Sequence, residues 1–301
     1  MYQKRIIPLI QSLLLATVLS NSLITSACSA ESSNTELLSN KNTPAEIYKL
    51  GLAYYEGDSV PEDDAKAFEL FQKAADQGYA PAKHYLGVMY YDGIAVEQNY
   101  QKTLKLFQEA ANQEDANAQY GLGIMYDNGI GVNQNHEKAM EWYLLAAGNG
   151  SFDAQNNIGT LYYFGKGVTQ DYDEALKWYQ KAAEQNIALA QFNIGGLYEN
   201  GYSVSQDYDE SLKWYTKAAE QNLDLAQLAI GGLYQNGNGV TQDYDTAFEW
   251  YKKAADQGNQ EASNRIGRLV MNDKIDDTGI TIYSTQETGL TLGDIEDSLS
   301  E

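Results

Sequence analysis

Seven glycines fall 36 residues apart in this chain, at Gly51, Gly87, Gly123, Gly159, Gly195, Gly231 and Gly267. Three places after each of the first six comes a tyrosine, from Tyr54 and Tyr90 to Tyr234, and three further on a second glycine, from Gly57 to Gly237. An aromatic recurs at Phe71, Phe107, Tyr143, Tyr179, Tyr215 and Tyr251, and an Ala-Ala pair follows it each time, from Ala74-Ala75 to Ala254-Ala255. No insertion or deletion breaks the register. A unit this short cannot bury its apolar faces alone. The copies must therefore stack, and the chain is an array rather than the two domains its 301 residues would otherwise suggest.

Each copy reads as two helices. In the third, Ala118, Leu122, Met125 and Tyr126 lie on one face of a helix A over about 116–128, and Gly129 ends it. Val132 sits in the loop, packed back on the helix ends. Asn135 caps a helix B whose apolar stripe is Ala139, Trp142, Tyr143 and Ala146, and Asp171, Asp207 and Asp243 take the cap in later copies. Carboxylates just after these caps, such as Asp173 and Glu174, suit the positive start of a helix. A glycine inside helix A costs about 1 kcal/mol against alanine. Its recurrence implies close helix contact, for which the Ala-Ala pair of helix B is the expected partner, with the Trp-Tyr pairs filling the gap to the next copy.

Leu86-Gly87-x-x-Tyr90 and Ala139-x-x-x-Tyr143 resemble the tetratricopeptide pattern. The period of 36, the Gly-x-Gly-Val loops at Gly129-Ile130-Gly131-Val132 and Gly165-Lys166-Gly167-Val168, and the set Asp171, Ala175, Trp178-Tyr179, Lys181-Ala182-Ala183 resemble the Sel1-like repeat (SLR) family. The resemblance covers about 45–271 and implies an all-α fold: a right-handed α/α solenoid superhelix of 36-residue helix-turn-helix repeats, with a concave face that holds protein partners. Leu70-Phe71 and Leu106-Phe107 stand where later copies have Trp-Tyr. Six helix pairs are expected, then a lone capping helix at about 260–271, where Val270 replaces the tyrosine and Arg265 and Arg268 appear.

The ends differ from the array. Lys4 and Arg5, the apolar run Ile6 to Leu23 and the small residues after it have the layout of an export signal over 1–27. The run is too short and polar for a membrane span. Ser26-Ala27-Cys28 resembles the end of a bacterial lipobox, with Thr25 where that box has Leu, Ile or Val. It implies a lipidated Cys28, the only cysteine, and Ser29 beside it implies outer-membrane sorting facing the periplasm or cell surface. Ordinary cleavage after Ala27 or Ala30, giving a soluble periplasmic or secreted protein, is the alternative. Residues 28–44 read as a flexible tether. Residues 272–301 carry eight acids against one lysine and read as a disordered acidic tail, within which Ile280-Thr281-Ile282-Tyr283 is β-prone.

The net charge of −22 argues against nucleic acid, which needs a basic footprint. One cysteine and two histidines leave no expected metal, cofactor or catalytic set. The Asp171-Tyr172-Asp173 and Asp207-Tyr208-Asp209 runs lack the glycine and distal glutamate of a calcium loop and read as helix caps. The informative places are those where the copies disagree. Four after the helix A glycine stand Tyr55, Tyr91, Asp127, Tyr163, Glu199 and Gln235. Three before it, from the second copy, stand His84, Tyr120, Asn156, Phe192, Leu228 and Asn264, and next to these Tyr85, Gly121, Asn157, Asn193, Ala229 and Arg265. Helix A lines the concave side in arrays of this kind, so the first row, with His84 and Asn156, is the expected partner groove; unconstrained surface is the other reading. The expected function is a non-catalytic protein-interaction scaffold of the bacterial envelope, binding a protein or peptide and meeting the membrane only through the lipid anchor. The alternative is a β-lactamase-type hydrolase, an activity linked to cysteine-rich members of the family. Those members carry a cysteine pair in each repeat, and this chain carries none.

Overall fold

A computed structural model describes residues 43–272, 274 and 275. Cys28, the expected export signal and residues 280–283 lie outside the described residues. Among the described residues thirteen α-helices run in order: α1 Pro44–Glu56, α2 Asp64–Asp76, α3 Ala80–Asp92, α4 Tyr100–Ala111, α5 Ala116–Asn128, α6 His136–Gly148, α7 Phe152–Phe164, α8 Tyr172–Glu184, α9 Ala188–Asn200, α10 Tyr208–Glu220, α11 Asp224–Asn236, α12 Tyr244–Asp256 and α13 Gln260–Met271. Odd numbers to α11 are the A helices, even numbers the B helices, and α13 is a lone A helix. The chain forms two compact halves, with the boundary between Asn157 and Ile158. Within each half, helices pack chiefly on the helix before and after them in the chain. The architecture is an all-α solenoid of helix-turn-helix repeats of about 36 residues.

The turns close by side-chain and backbone devices that recur. Each B helix starts with a capping carboxylate or amide: Asp63, Asn99, Asn135, Asp171, Asp207 and Asp243 each accept the N–H three residues on. The N–H of the same cap residue donates to the tyrosine three after the repeat glycine, as in Asn135 N to Tyr126 O at 2.8 Å. In the second to sixth repeats a loop glutamine adds a latch, donating to the carbonyl of the residue four after that glycine. Gln98 reaches Tyr91 O at 2.7 Å and Gln206 reaches Glu199 O at 2.8 Å. Glycine ends the A helices because the chain must turn through the left-handed region there, with φ of 70° at Gly129.

The recurring helix A glycine does make close contact, but its partner is not the expected Ala-Ala pair. It is the aromatic ring of the B helix in the same repeat. A Cβ at Gly51 would stand 2.7 Å from the Phe71 ring, and one at Gly159 2.7 Å from the Tyr179 ring. At Gly267, where no B helix follows among the described residues, a Cβ would meet nothing within 4 Å. Burying such a ring is worth about 1.5–3 kcal/mol, which outweighs the roughly 1 kcal/mol that glycine costs the helix. Tyr143, Tyr251 and Phe71 are among the largest fully buried side chains. The first alanine of each pair is also buried, while the second is only half-buried in the third, fourth and sixth repeats.

A polar ladder runs through the core as well. Gln119, Gln191 and Gln227 are buried, and each accepts from a residue 30 later at the end of its B helix: Asn149 at 2.9 Å, Gln221 at 2.8 Å and Gln257 at 2.8 Å. Asn222 donates to Gln257 at 3.0 Å and so joins successive repeats. Buried amides are tolerated because they are paired. At the C-terminal end, Ala262, Leu269 and Ile275 close the cluster built on Ala247, Phe248, Tyr251 and Ala254.

Candidate interaction site

Residues of the first row are half-buried, and Tyr55, Asp127, Glu199 and Gln235 meet the aromatic 16 residues later. Where that aromatic is a tyrosine, the row holds an acceptor. The Tyr215 hydroxyl donates to Glu199 Oε2 at 2.6 Å, that of Tyr251 to Gln235 Oε1 at 2.5 Å, and that of Tyr143 to Asp127 Oδ2 at 3.5 Å. Asp127 also meets His136 Nδ1 at 2.7 Å. Where the aromatic is phenylalanine, with no hydroxyl to satisfy, the row holds a tyrosine. Tyr55 lies with its ring 6.1 Å from that of Phe71, and Tyr91 stands edge-on to Tyr100 at 5.3 Å. The fourth repeat differs: Tyr179 pairs with Thr160 at 3.2 Å, which leaves Tyr163 to turn toward the rings of Tyr172, Tyr202 and Phe164. The row thus varies together with its internal partner, a signal visible in the sequence when the two columns are read side by side.

The second row is more buried. His84 is 6% exposed, stacked on Phe107 at 5.4 Å, and its Nε2 has no hydrogen-bond partner. Burial holds this imidazole below its ordinary pKa, against an opposing pull from Asp115. Tyr120 is buried, with its hydroxyl accepting from Asn157 at 3.3 Å, and Asn156, also buried, donates to Asn157 at 3.3 Å. Phe192 packs on Tyr215 with ring centres 5.4 Å apart.

An opening of about 290 Å³ lies in the C-terminal half between α7 and α9. Its walls are Thr160, Tyr163 and Phe164 of α7 and Phe192, Asn193, Gly196 and Asn200 of α9; its floor is Tyr179 and Tyr215. Of the expected groove residues, Tyr163 lines it, and Glu199 stands behind its floor through the Tyr215 hydroxyl. The residue just after the repeat glycine forms part of both walls, as Thr160 on α7 and Gly196 on α9. Leu52, Val88 and Ile124 hold that place in the N-terminal half, and Thr160, Gly196 and Gly232 in the C-terminal half. At the rim, Phe164 is 59% exposed and Tyr202 37%, and the Tyr172 and Tyr202 rings stack at 4.5 Å. Burial raises the pKa of Tyr163, Tyr179 and Tyr215, reinforced at Tyr215 by the Glu199 carboxylate, so these hydroxyls keep their protons at neutral pH. The described residues contain no group of three or more metal-ligating side chains, and none of their helices is long and apolar enough to cross a membrane.

Similarity to known proteins agrees with this geometry. A Sel1 repeat protein from Oxalobacter formigenes is 33% identical over 72% of this chain and 89% of its own, with a TM-score of 0.68. The protein c5321, a protective antigen of uropathogenic Escherichia coli strains with an SLR fold, is 34% identical over 82% of this chain and 52% of its own, with a TM-score of 0.66. Yeast Tom70 shares the fold alone, at 14% identity over 90% of this chain and 57% of its own, with a TM-score of 0.52. No curated protein matches the chain. The Sel1 repeat model matches residues 47–79, 80–115, 116–151, 152–187, 188–223 and 224–259, repeat for repeat with the helix pairs, and the chain therefore belongs to the Sel1 repeat family.

Proposed function

We propose that this chain is a non-catalytic scaffold that holds a segment of a partner protein along its A helices, with the opening between α7 and α9 as the principal contact. Sel1 and tetratricopeptide-like repeats are in general protein-interaction scaffolds. The observation that carries the assignment is the exposed aromatic rim, Phe164 and Tyr202, beside an open cavity; among the described residues Phe152 is the one other exposed large ring. Exposed aromatics next to a pocket are the residue type that anchors partners. The single cysteine gives the hydrolase alternative nothing to build on, since the relatives behind it are cysteine-paired. The same proposal places the scaffold in the bacterial envelope, tethered through Cys28.

Two measurements test it. The full chain is used as bait in envelope extracts, and the captured protein is reconstituted with the purified chain. Phe164→Asp abolishes that binding with the melting temperature unchanged; binding that survives the substitution removes the rim from the interface. Labelled palmitate is incorporated by the wild-type chain and not by Cys28→Ser. An unlabelled wild type is a soluble exported protein instead.

A further inference from the structure

We propose that the opening between α7 and α9 is a receptor for one cationic side chain, an arginine presented by an extended segment of the partner. The inference rests on the scaffold assignment and specifies what its principal contact recognises.

The lining is aromatic on every side: Tyr163 and Phe164 on one wall, Phe192 on the other, Tyr179 and Tyr215 below. Ring faces attract cations, and the attraction grows when water is excluded. Elsewhere in this half the exposed ring faces already hold a lysine of their own chain. Lys181, Lys217 and Lys253 lie 3.9 Å over Trp178, Trp214 and Trp250. Among the described residues no lysine or arginine covers Tyr163, Tyr179, Phe192 or Tyr215, and only Phe164 has one nearby, Lys166 at 5.5 Å. Tyr179 and Tyr215 are only 2% exposed, so the ring faces left for an external cation are those of the half-buried Tyr163 and Phe192.

Charge points the same way. Glu199 accepts from the Tyr215 hydroxyl at 2.6 Å, and its other oxygen has no hydrogen bond among the described residues. Asp173, next to Tyr172 in the chain, accepts from Ser203, next to Tyr202, at 2.5 Å. Asn200 donates to Gly196 O at 2.7 Å, which leaves its side-chain oxygen as an acceptor. No cationic side chain lines the cavity, and the whole chain carries −22. The size, about 290 Å³, falls at the bottom of the range for small-molecule sites and suits one side chain. Arginine fits better than lysine because its planar, weakly hydrated guanidinium stacks on rings while its edge donates to an acceptor of the lining, the Asn200 side-chain oxygen.

The test titrates the full chain with three ten-residue Gly/Ser peptides that differ at their central residues: arginine, its neutral isostere citrulline, or leucine. The arginine peptide is expected to bind at least roughly tenfold tighter than the citrulline one. Gly196→Leu fills the cavity without changing the charge and abolishes that preference. A Cβ at Gly196 meets only the Tyr215 hydroxyl, at 3.7 Å, so the backbone tolerates it. Phe164→Ala, at the exposed rim, weakens arginine binding without touching the core and serves if the leucine variant melts early. An arginine preference that survives both variants is diffuse attraction to an acidic surface, and overturns the proposal; so does tighter binding of the leucine peptide. A partner protein whose capture survives Gly196→Leu overturns the arginine receptor and leaves the scaffold standing. Arginine selectivity with no captured protein does the reverse.

Discussion

The two halves of this molecule use the same helix pair and finish it differently. In the N-terminal half the place after the repeat glycine is filled by Leu52, Val88 and Ile124, and Val88 and Ile124 are buried there. In the C-terminal half the place holds Thr160, Gly196 and Gly232, and a cavity lined by the first two opens between α7 and α9. The ring underneath follows its own partner. Phe71 and Phe107 in the first two repeats need no acceptor, whereas Tyr143 in the third has Asp127, and Tyr215 and Tyr251 in the last two have Glu199 and Gln235. The halves differ in the side chain beside the glycine, aliphatic in one and threonine or glycine in the other, while the polar pairs occur in both. A repeat protein can thus make one stretch of its surface a packing face and the next a binding face by changing one place in a period of 36.

The comparison can be broken most forcefully at the glycine both halves share. Gly123→Leu and Gly195→Leu should each cost about 1–3 kcal/mol or more, because the new side chain must enter the space of the Tyr143 or Tyr215 ring. Denaturant melts of the two variants should agree; a mild effect in one half alone would mean that its ring packing is not the shared device. The polar pairs come next. Glu199→Ala should cost about 1–3 kcal/mol by stranding the buried Tyr215 hydroxyl, and Glu199→Ala with Tyr215→Phe should recover part of that. Full additivity in the double-mutant cycle would show that the pair contributes nothing.

A smaller effect separates the halves by pH. Both histidines, His84 and His136, belong to the N-terminal half. His84 lies among Tyr85, Phe107 and the field of Asp115, with its folded pKa held below the ordinary value of about 6.5. As pH falls through 6.5 the unfolded chain takes the proton first, so stability present above that pH is lost on acidification, at no more than about 1.4 kcal/mol per pH unit for one proton. Hydrogen-exchange protection around α3 and α4, taken relative to the intrinsic rate at each pH, should fall between about pH 6.5 and 5, and His84→Phe should flatten that dependence. The smallest effect has the opposite sign. Gly196→Ala should stabilise by about 0.5–1 kcal/mol, since its Cβ meets ordinary contact distance and alanine is the better helix former. A loss would show that the cavity wall is tighter than its geometry.

Much of the frame was readable from residue types alone. Asp171, Asp207 and Asp243 cap their helices, Gly129 turns left-handed after helix A, and Val132 packs back from its loop, all as the spacing implied. Two things escaped. Recurrence shows which residues travel together, not which pair touches, so the helix A glycine was matched to the alanines when its neighbour is the ring of Tyr179 or Phe71. Residue type alone does not mark Gln119, Gln191 and Gln227 as buried, because a glutamine's burial depends on a partner 30 residues away. The cavity between α7 and α9 was only half legible: Tyr163 and Glu199 stood out as variable, but the opening depends on Gly196, whose meaning emerges beside Val88 and Ile124 at the same place.

The latch that closes every turn also has a mechanical consequence. Each helix pair is tied by its own cap and, from the second repeat on, by its own loop glutamine, while its packing partners are the helices next to it in the chain. Pulled from its ends, such a chain yields one hairpin at a time, because no contact deep in the array must break before the outermost pair peels away. Each release frees 36 residues, up to about 120 Å of extended chain. Force would therefore lengthen the molecule in steps of equal size, and the repeats still folded would keep their surfaces intact.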